Sequence, residues 1–202
     1  MDPGEPVSIA ALPFSLRWLE PGRDLRVEGR SLELSAGPAT DLFSDPEGDK
    51  PNASAPALIG AAPGDFLLGA RVSVEFATTF DAGVLLLYRD ERNWAKLCFE
   101  LSPQKEPTVV SVVTRGVSDD CNSFAVQESE IWLRIARIGD CVAFHASKDG
   151  ALWKLVRYFT LPAAAGARVG FLAQSPSGNG CRVRFSEIFF EARRLADLRS
   201  GA

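Results

Sequence analysis

Trp94, Lys96, Cys98 and Glu100 occupy every second position of one short stretch, with Ala95, Leu97 and Phe99 between them. That alternation is the period of a β-strand with one aliphatic face and one face carrying an aromatic ring, an ammonium and a carboxylate. Polar groups set into a hydrophobic β pattern are the strongest chemical signal in the chain. Lys96 and Glu100 stand four residues apart, which on a regular strand separates their Cβ atoms by roughly 13 Å at about 3.3 Å per residue. They are therefore not a direct ion pair. Each needs a partner on a neighbouring strand, because a lone buried charge is prohibitively costly. Arg134 and Arg157 are candidates to meet Glu100 or Asp119, and Thr114 and Ser118 to hydrogen-bond around Lys96. Two outcomes stay open: a satisfied polar network that braces one sheet, or a concave face that binds a polar ligand. Trp94 and Trp153 are candidate stacking surfaces for a sugar ring, with service as core or rim bulk as the alternative.

Catalytic chemistry is harder to assemble. Glycosidases need two carboxyl groups, about 5–5.5 Å apart for retention and about 6.5–9.5 Å for inversion. Glu100 stands alone on its strand, so a second carboxylate such as Asp119 would have to come from a loop. His145 lies in the apolar stretch from Cys141 to Ala146 and reads as a hydrogen-bonded structural histidine, with no nucleophile motif beside it. Ser175 to Gly180 is rich in Gly and Ser but lacks the phosphate-loop pattern, so a long hairpin loop is expected there. Asp41, Asp45, Glu47 and Asp49 cluster without an EF-hand pattern and read as a solvated loop. The four cysteines, Cys98, Cys121, Cys141 and Cys181, have no paired metal-ligand spacing and are expected to be buried thiols. No metal and no cofactor is expected.

The elements that must position these residues follow from pattern. Leu25 to Leu34 reads as a hairpin turned at Gly29, and Asp41 to Pro56 as a long loop, either a lid over one face or a mobile excursion. Strands are expected over 66–76, 83–88, 94–101, 108–114, 131–138, 141–147, 152–160, 167–174 and 181–190, with Gly150 turning the hairpin after 147. Only Glu191 to Arg199 looks helical, as a terminal helix or a fraying tail. Many short strands and almost no helix mean a sandwich, most economically two stacked antiparallel sheets in one domain spanning 1–202, with its core over about 10–190.

Composition narrows the function. A hydrophobic share of 46% supplies an extensive core and excludes general disorder. A net charge of −4 with a pI near 5.2 argues against a nucleic-acid role, which would need a basic stripe. No run approaches the roughly 20 apolar residues of a membrane span. The start Met1-Asp2-Pro3-Gly4-Glu5 lacks the features of a secretory signal, so a cytoplasmic location is expected. Asn52-Ala53-Ser54 then reads as an incidental sequon.

Several landmarks run in order: Phe80-Asp81-Ala82-Gly83, Asn93-Trp94-Ala95-Lys96 with Glu100, Val113-Thr114, Ser118-Asp119, Arg134, Asp149-Gly150 with Trp153 and Arg157, Gly170, and Ser175-Pro176. This series resembles a family of unknown function with a concanavalin A-like, lectin/glucanase jelly-roll fold, which includes the fungal "regulation of enolase" protein. The resemblance covers roughly residues 10–190. One departure is visible: Asp120 stands where the family pattern Ser-Asp-Trp has an aromatic, so that ring's role is not carried over. The resemblance implies a fold and a link to metabolic regulation.

These readings converge on a non-catalytic concanavalin A-like β-sandwich that binds a small polar ligand or carbohydrate. Trp94, Lys96, Glu100, Thr114, Ser118, Asp119, Arg134, Trp153 and Arg157 form the expected binding face. The alternatives are a carbohydrate-active enzyme and a regulatory protein acting through a metabolic-enzyme partner. No nucleic-acid or membrane partner is expected.

Overall fold

The structure is a computed structural model and describes residues 4–48 and 51–202. Asp49 of the acidic loop and Met1 to Pro3 lie outside the described residues. The strands, in chain order, are β1 (Arg17–Glu20), β2 (Arg23–Glu28), β3 (Ser31–Ser35), β4 (Leu42–Phe43), β5 (Asn52–Ala53), β6 (Ala57–Ala61), β7 (Phe66–Val74) and β8 (Ala82–Asp90). They continue as β9 (Asn93–Leu101), β10 (Pro107–Arg115), β11 (Val117–Ala125), β12 (Glu130–Ile138), β13 (Cys141–Ser147), β14 (Lys154–Thr160), β15 (Arg168–Gln174) and β16 (Arg182–Glu191).

Two seven-stranded antiparallel sheets result. Sheet I runs β1-β6-β15-β8-β9-β10-β11, and sheet II runs β14-β13-β12-β7-β16-β3-β2. Their inner faces meet in one core. Leu85, Leu87, Ala95, Leu97 and Phe99 of sheet I pack toward Leu68, Val72, Leu133, Ile135, Phe144 and Phe185 of sheet II. Phe171 and Phe185, one from each sheet, have ring centroids 4.9 Å apart. Each of these Leu, Val, Ile and Phe side chains stabilises the fold by about 1.5–3 kcal/mol through removal from water.

The β9 alternation expected from the sequence is what the sheet uses. Ala95, Leu97 and Phe99 enter the inter-sheet core, while Trp94 and Cys98 join a second apolar cluster on the outer face of sheet I. That cluster also takes Val84, Leu86, Val110 and Val112 from neighbouring strands, and Leu42, Ala55 and Phe43 from the 41–56 segment. The long loop is therefore a cover over the outer face, stiffened by the short β4–β5 ribbon. Hydrophobic side chains on both faces explain why β8 reads as a nearly continuous apolar run.

Several features differ from the sequence reading. Ala57–Ala61 forms an unexpected strand, β6, within sheet I, and the 175–180 segment crosses from sheet I to sheet II in place of the expected hairpin loop. Val117 to Ala125 forms a nine-residue strand, β11, at the sheet edge. Its residues are polar because only one neighbour covers it, and polar side chains also protect an open edge. The tail after Glu191 is not helical; Leu195 is buried and packs, with Leu198, on the outer face of sheet II beside Leu155 and Phe189. Tertiary packing of two leucines overrides the helical pattern. Cys98 and Cys181 are buried, but Cys121 is exposed on β11 and Cys141 is half-buried; all four are free. Gly150 takes the positive φ, 73°, expected in the loop between β13 and β14. No helix among the described residues is long and apolar enough to cross a membrane.

Candidate functional site

Pairing register decides which side chains share the outer face of sheet I. Lys96 of β9 lies opposite Val112 of β10, and Val112 opposite Asp120 of β11. Glu100 lies opposite Ala82 of β8, which lies opposite Gln174 of β15. Lys96, Glu100, Asp120 and Gln174 thus rise from four strands onto one face. The covering loop adds Asp41, Phe43 and Asp45, and Phe80 and Pro176 complete the rim. Together they enclose a cavity of about 260 Å³.

Lys96 is buried at 2% exposure, so its ammonium needs partners. Its Nζ donates to Gln174 Oε1 at 2.9 Å and sits 3.7 Å from Asp41 Oδ1. The rings of Trp94 and Phe43 flank it at 5.6 and 5.8 Å. Gln174 then donates from Nε2 to Glu100 Oε2 at 3.5 Å. The two charges that a regular strand holds apart are joined through one amide, whose oxygen faces the cation and whose nitrogen faces the carboxyl.

Burial dominates the electrostatics of this face. It raises the Glu100 carboxyl to about 8 against the pull of Lys96, with Asp120 and Asp41 adding to the rise. A neutral, proton-bearing Glu100 is therefore the prevailing form at pH 7. Burial likewise raises Asp41, opposed by Lys96, and raises Asp120, although that residue is exposed on the edge strand. Cys98, between Lys96 and Glu100 on the same face, is pushed well above the ordinary thiol range by burial and is not a nucleophile.

The other residues singled out from the sequence go elsewhere. Trp94 is 1% exposed and supports Lys96 from the apolar cluster, so its ring is not open for stacking on a ligand. Thr114 and Ser118 share the outer face but bond each other, Oγ1 to Oγ at 2.9 Å. Ser118 Oγ also accepts from the backbone N–H of Ser44, which ties the cover to the sheet. Asp119 points to the opposite side of β11 and pairs with Arg157 of sheet II, Oδ2 to Nη2 at 2.8 Å. Arg157 also donates to the Asp119 carbonyl, so this pair staples the open edges of the two sheets.

Arg134 and Trp153 belong to the far side of the molecule. The guanidinium lies 4.1 Å from the Trp153 ring centroid and donates to the Gly201 carbonyl at 2.7 Å. Its strand partner His145 bonds the Leu198 carbonyl through Nε2 at 2.7 Å, and burial lowers its pKa to about 4. Both residues fix the C-terminal segment.

Sequence reasoning missed Asp41, Phe43, Asp45, Phe80, Asp120 and Gln174 as cavity residues, having read Asp41 and Asp45 as part of a solvated loop. Asp120 was recoverable from register: once 117–125 is a strand, it shares the parity of Val112 and Lys96. The loop residues carried two signals, the length of the segment and its cluster of acidic residues. Among the described residues, no group of His, Cys, Asp and Glu has a geometry that could hold a metal ion.

Known proteins frame this geometry. The chain is 28% identical over 123 residues to the Saccharomyces cerevisiae protein named "Regulation of enolase protein 1", a match covering 60% of this chain and 62% of that protein's length. A crystal structure of a functionally unknown protein from S. cerevisiae superimposes with a TM-score of 0.82 at 24% identity, covering 89% of this chain and 97% of that one. The xylan beta-1,4-xylosidase from Bacillus halodurans superimposes at 0.60 with 12% identity, over 83% of this chain and 38% of the xylosidase. At such identities both structural likenesses are of fold alone. The profile of the family described as "Protein of unknown function (DUF1349)" matches residues 18–193, and the chain belongs to that family.

Proposed function

We propose that the chain is a binding domain whose ligand, a small polar molecule such as a carbohydrate or metabolite, occupies the cavity between sheet I and the 41–56 cover. One observation carries this reading: the buried carboxyl of Glu100 opens onto a cavity instead of closing against the protein. Gln174 reaches Oε2, and among the described residues no donor reaches Oε1. Buried polar groups are normally paired, and Glu100 lines the cavity, so a ligand donor can reach the oxygen that the protein leaves free. Apolar walls with a few convergent polar groups are also the usual make-up of a ligand pocket.

Tryptophan fluorescence tests it, because Trp94 lies beside Lys96. A saturable response to an oligosaccharide or central-carbon metabolite is expected, lost in Phe80→Ala and weakened in Glu100→Gln while neither variant melts earlier than the wild type. No response across the panel, with variants that melt early, would make the face a brace. Two further readings each have one observation behind them. A protonated Glu100 near Asp120 suits a glycosidase acid, and turnover of aryl glycosides lost in Glu100→Gln would move the protein to that class. The name of the yeast relative supports a metabolic-enzyme partner, which co-sedimentation with purified enolase would reveal.

A further inference from the structure

Charge complementarity narrows the ligand. We propose that the cavity selects an organic ammonium group, such as that of an amino sugar or a short diamine, over neutral polyols and anions; this rests on the binding reading above. Lys96 and Asp41 form an ion pair inside the wall and cancel each other at close range. Asp45 and Asp120 face the same space, and among the described residues no cation lies within ion-pair distance of either. Arg157 pairs with Asp119, and it and Lys96 act on Asp120 only from beyond ion-pair distance. The cavity wall is therefore acidic beyond what its own lysine neutralises, and an anion would meet uncompensated like charge.

The second observation is Glu100, only 8% exposed, lining the cavity with Oε1 unpartnered among the described residues. An ammonium donor placed there satisfies that oxygen with a charge-assisted hydrogen bond. The walls discriminate between kinds of cation. Phe43 is half-buried and Phe80 is 38% exposed at the rim, and aromatic faces attract a weakly hydrated organic cation. A divalent metal ion would instead want several oxygens converging on one point, and no described cluster supplies them.

Binding then carries a proton signature. The groups facing Glu100 are Lys96 on its own strand, Asp120 from β11, Asp41 from the cover and the neutral Gln174 from β15. A second cation among them favours the ionised carboxylate, so the bound state releases a proton from Glu100 to solvent near neutral pH. The affinity for a permanently charged amine accordingly weakens as pH falls below about 8.

The test is calorimetric titration near neutral pH with compounds matched in size and differing in charge: 1,5-diaminopentane against 1,5-pentanediol, and glucosamine against glucose and glucuronate. Each titration is repeated in buffers of differing ionisation enthalpy. The expected result is that at least one amine binds about tenfold or more tightly than its uncharged counterpart. Its enthalpy should vary with the buffer, a dependence lost in Glu100→Gln. Asp120→Asn, a change on the exposed edge strand, should weaken the amine alone by several-fold. Equal or tighter binding of pentanediol, glucose or glucuronate would overturn the ammonium assignment and leave the binding reading standing. Failure of all five to bind would overturn both.

Discussion

Replacing Glu100 by glutamine should make the protein more stable, and increasingly so as pH rises. In the fold the carboxyl loses its proton only at about 8, against 4.5 for the free side chain. Because the folded-state value is the higher one, the folded protein holds the proton more tightly than the unfolded chain. Glu100 therefore costs nothing extra below about pH 4.5, and it destabilises the fold progressively as pH climbs through about 8. The interval between the two values, at about 1.36 kcal/mol for each pH unit, comes to about 5 kcal/mol when complete. Integrated, the penalty is about 1 kcal/mol at pH 5, about 3 kcal/mol at pH 7 and about 5 kcal/mol at pH 9. An amide has the shape of the protonated acid and no charge to desolvate, so Glu100→Gln removes the whole penalty.

Urea unfolding of both proteins at these three pH values measures the difference directly, since the other titrating groups are common to both. The midpoint should shift to higher urea in the variant with an unchanged slope, and the gap should widen from pH 5 to pH 9. A gap independent of pH would refute the reasoning, as would a variant less stable than the wild type at pH 9. Either result would mean that Glu100 is ionised and well paired in the fold. The same experiment separates a brace from a site. Removing a brace destabilises a protein, whereas a group kept at a cost is retained for something other than stability.

Ser118→Ala should cost about 1–3 kcal/mol, because it strands the Ser44 amide and the Thr114 hydroxyl. Hydrogen exchange at Ser44 should accelerate with it, and unchanged exchange would separate Ser118 from the cover. Gly170→Ala should cost more than about 4 kcal/mol or prevent folding, since backbone obstruction of this kind belongs to the exceptional class of substitutions. A Cβ there would stand 1.9 Å from the Leu58 carbonyl oxygen and 2.9 Å from the Ile59 Cα, both backbone atoms of the neighbouring β6 that cannot rotate away. A urea-measured loss below about 1 kcal/mol would show that β6 can slide relative to β15.

The fold was legible because its signals are local. The alternation at 94–100 and the apolar run at 83–88 each state their own structure, and the ordered landmarks from Phe80 to Pro176 fix their sequence. The site was half legible for a related reason. Lys96 and Glu100 betray themselves as polar residues in an apolar strand, but their partners come from register and from a loop. Asp119 and Asp120 adjoin in sequence, and a single step of strand register sends one to the inter-sheet edge and the other to the cavity. Without β11 as a strand, nothing decides between them. Arg134 and Trp153 illustrate the opposite error. They have the chemistry of a ligand site, yet their strands belong to sheet II, and no residue pattern states which sheet a strand will join.

The two outer faces then show what separates a brace from a site. On sheet II the chain covers itself with residues 192–202, which take one nitrogen each of Arg134 and His145 and pack directly over the Arg134 Nε and His145 Nδ1 that stay without a partner among the described residues. Gly201 takes the Arg134 guanidinium, Leu198 takes the His145 ring, and Leu195 with Leu198 fills the apolar remainder. On sheet I the cover is longer and anchored at particular points: Leu42 and Ala55 in the apolar cluster, Ser44 on Ser118, and Asp41 on Lys96. Between those anchors it leaves space, and Glu100, Asp45 and Asp120 face into that space. Tryptophan, arginine and histidine on one face look more like recognition chemistry than lysine and glutamate on the other. What distinguishes the faces is the space beside the polar groups: on sheet II the C-terminal segment closes over Arg134 and His145, and on sheet I Glu100, Asp45 and Asp120 border a cavity.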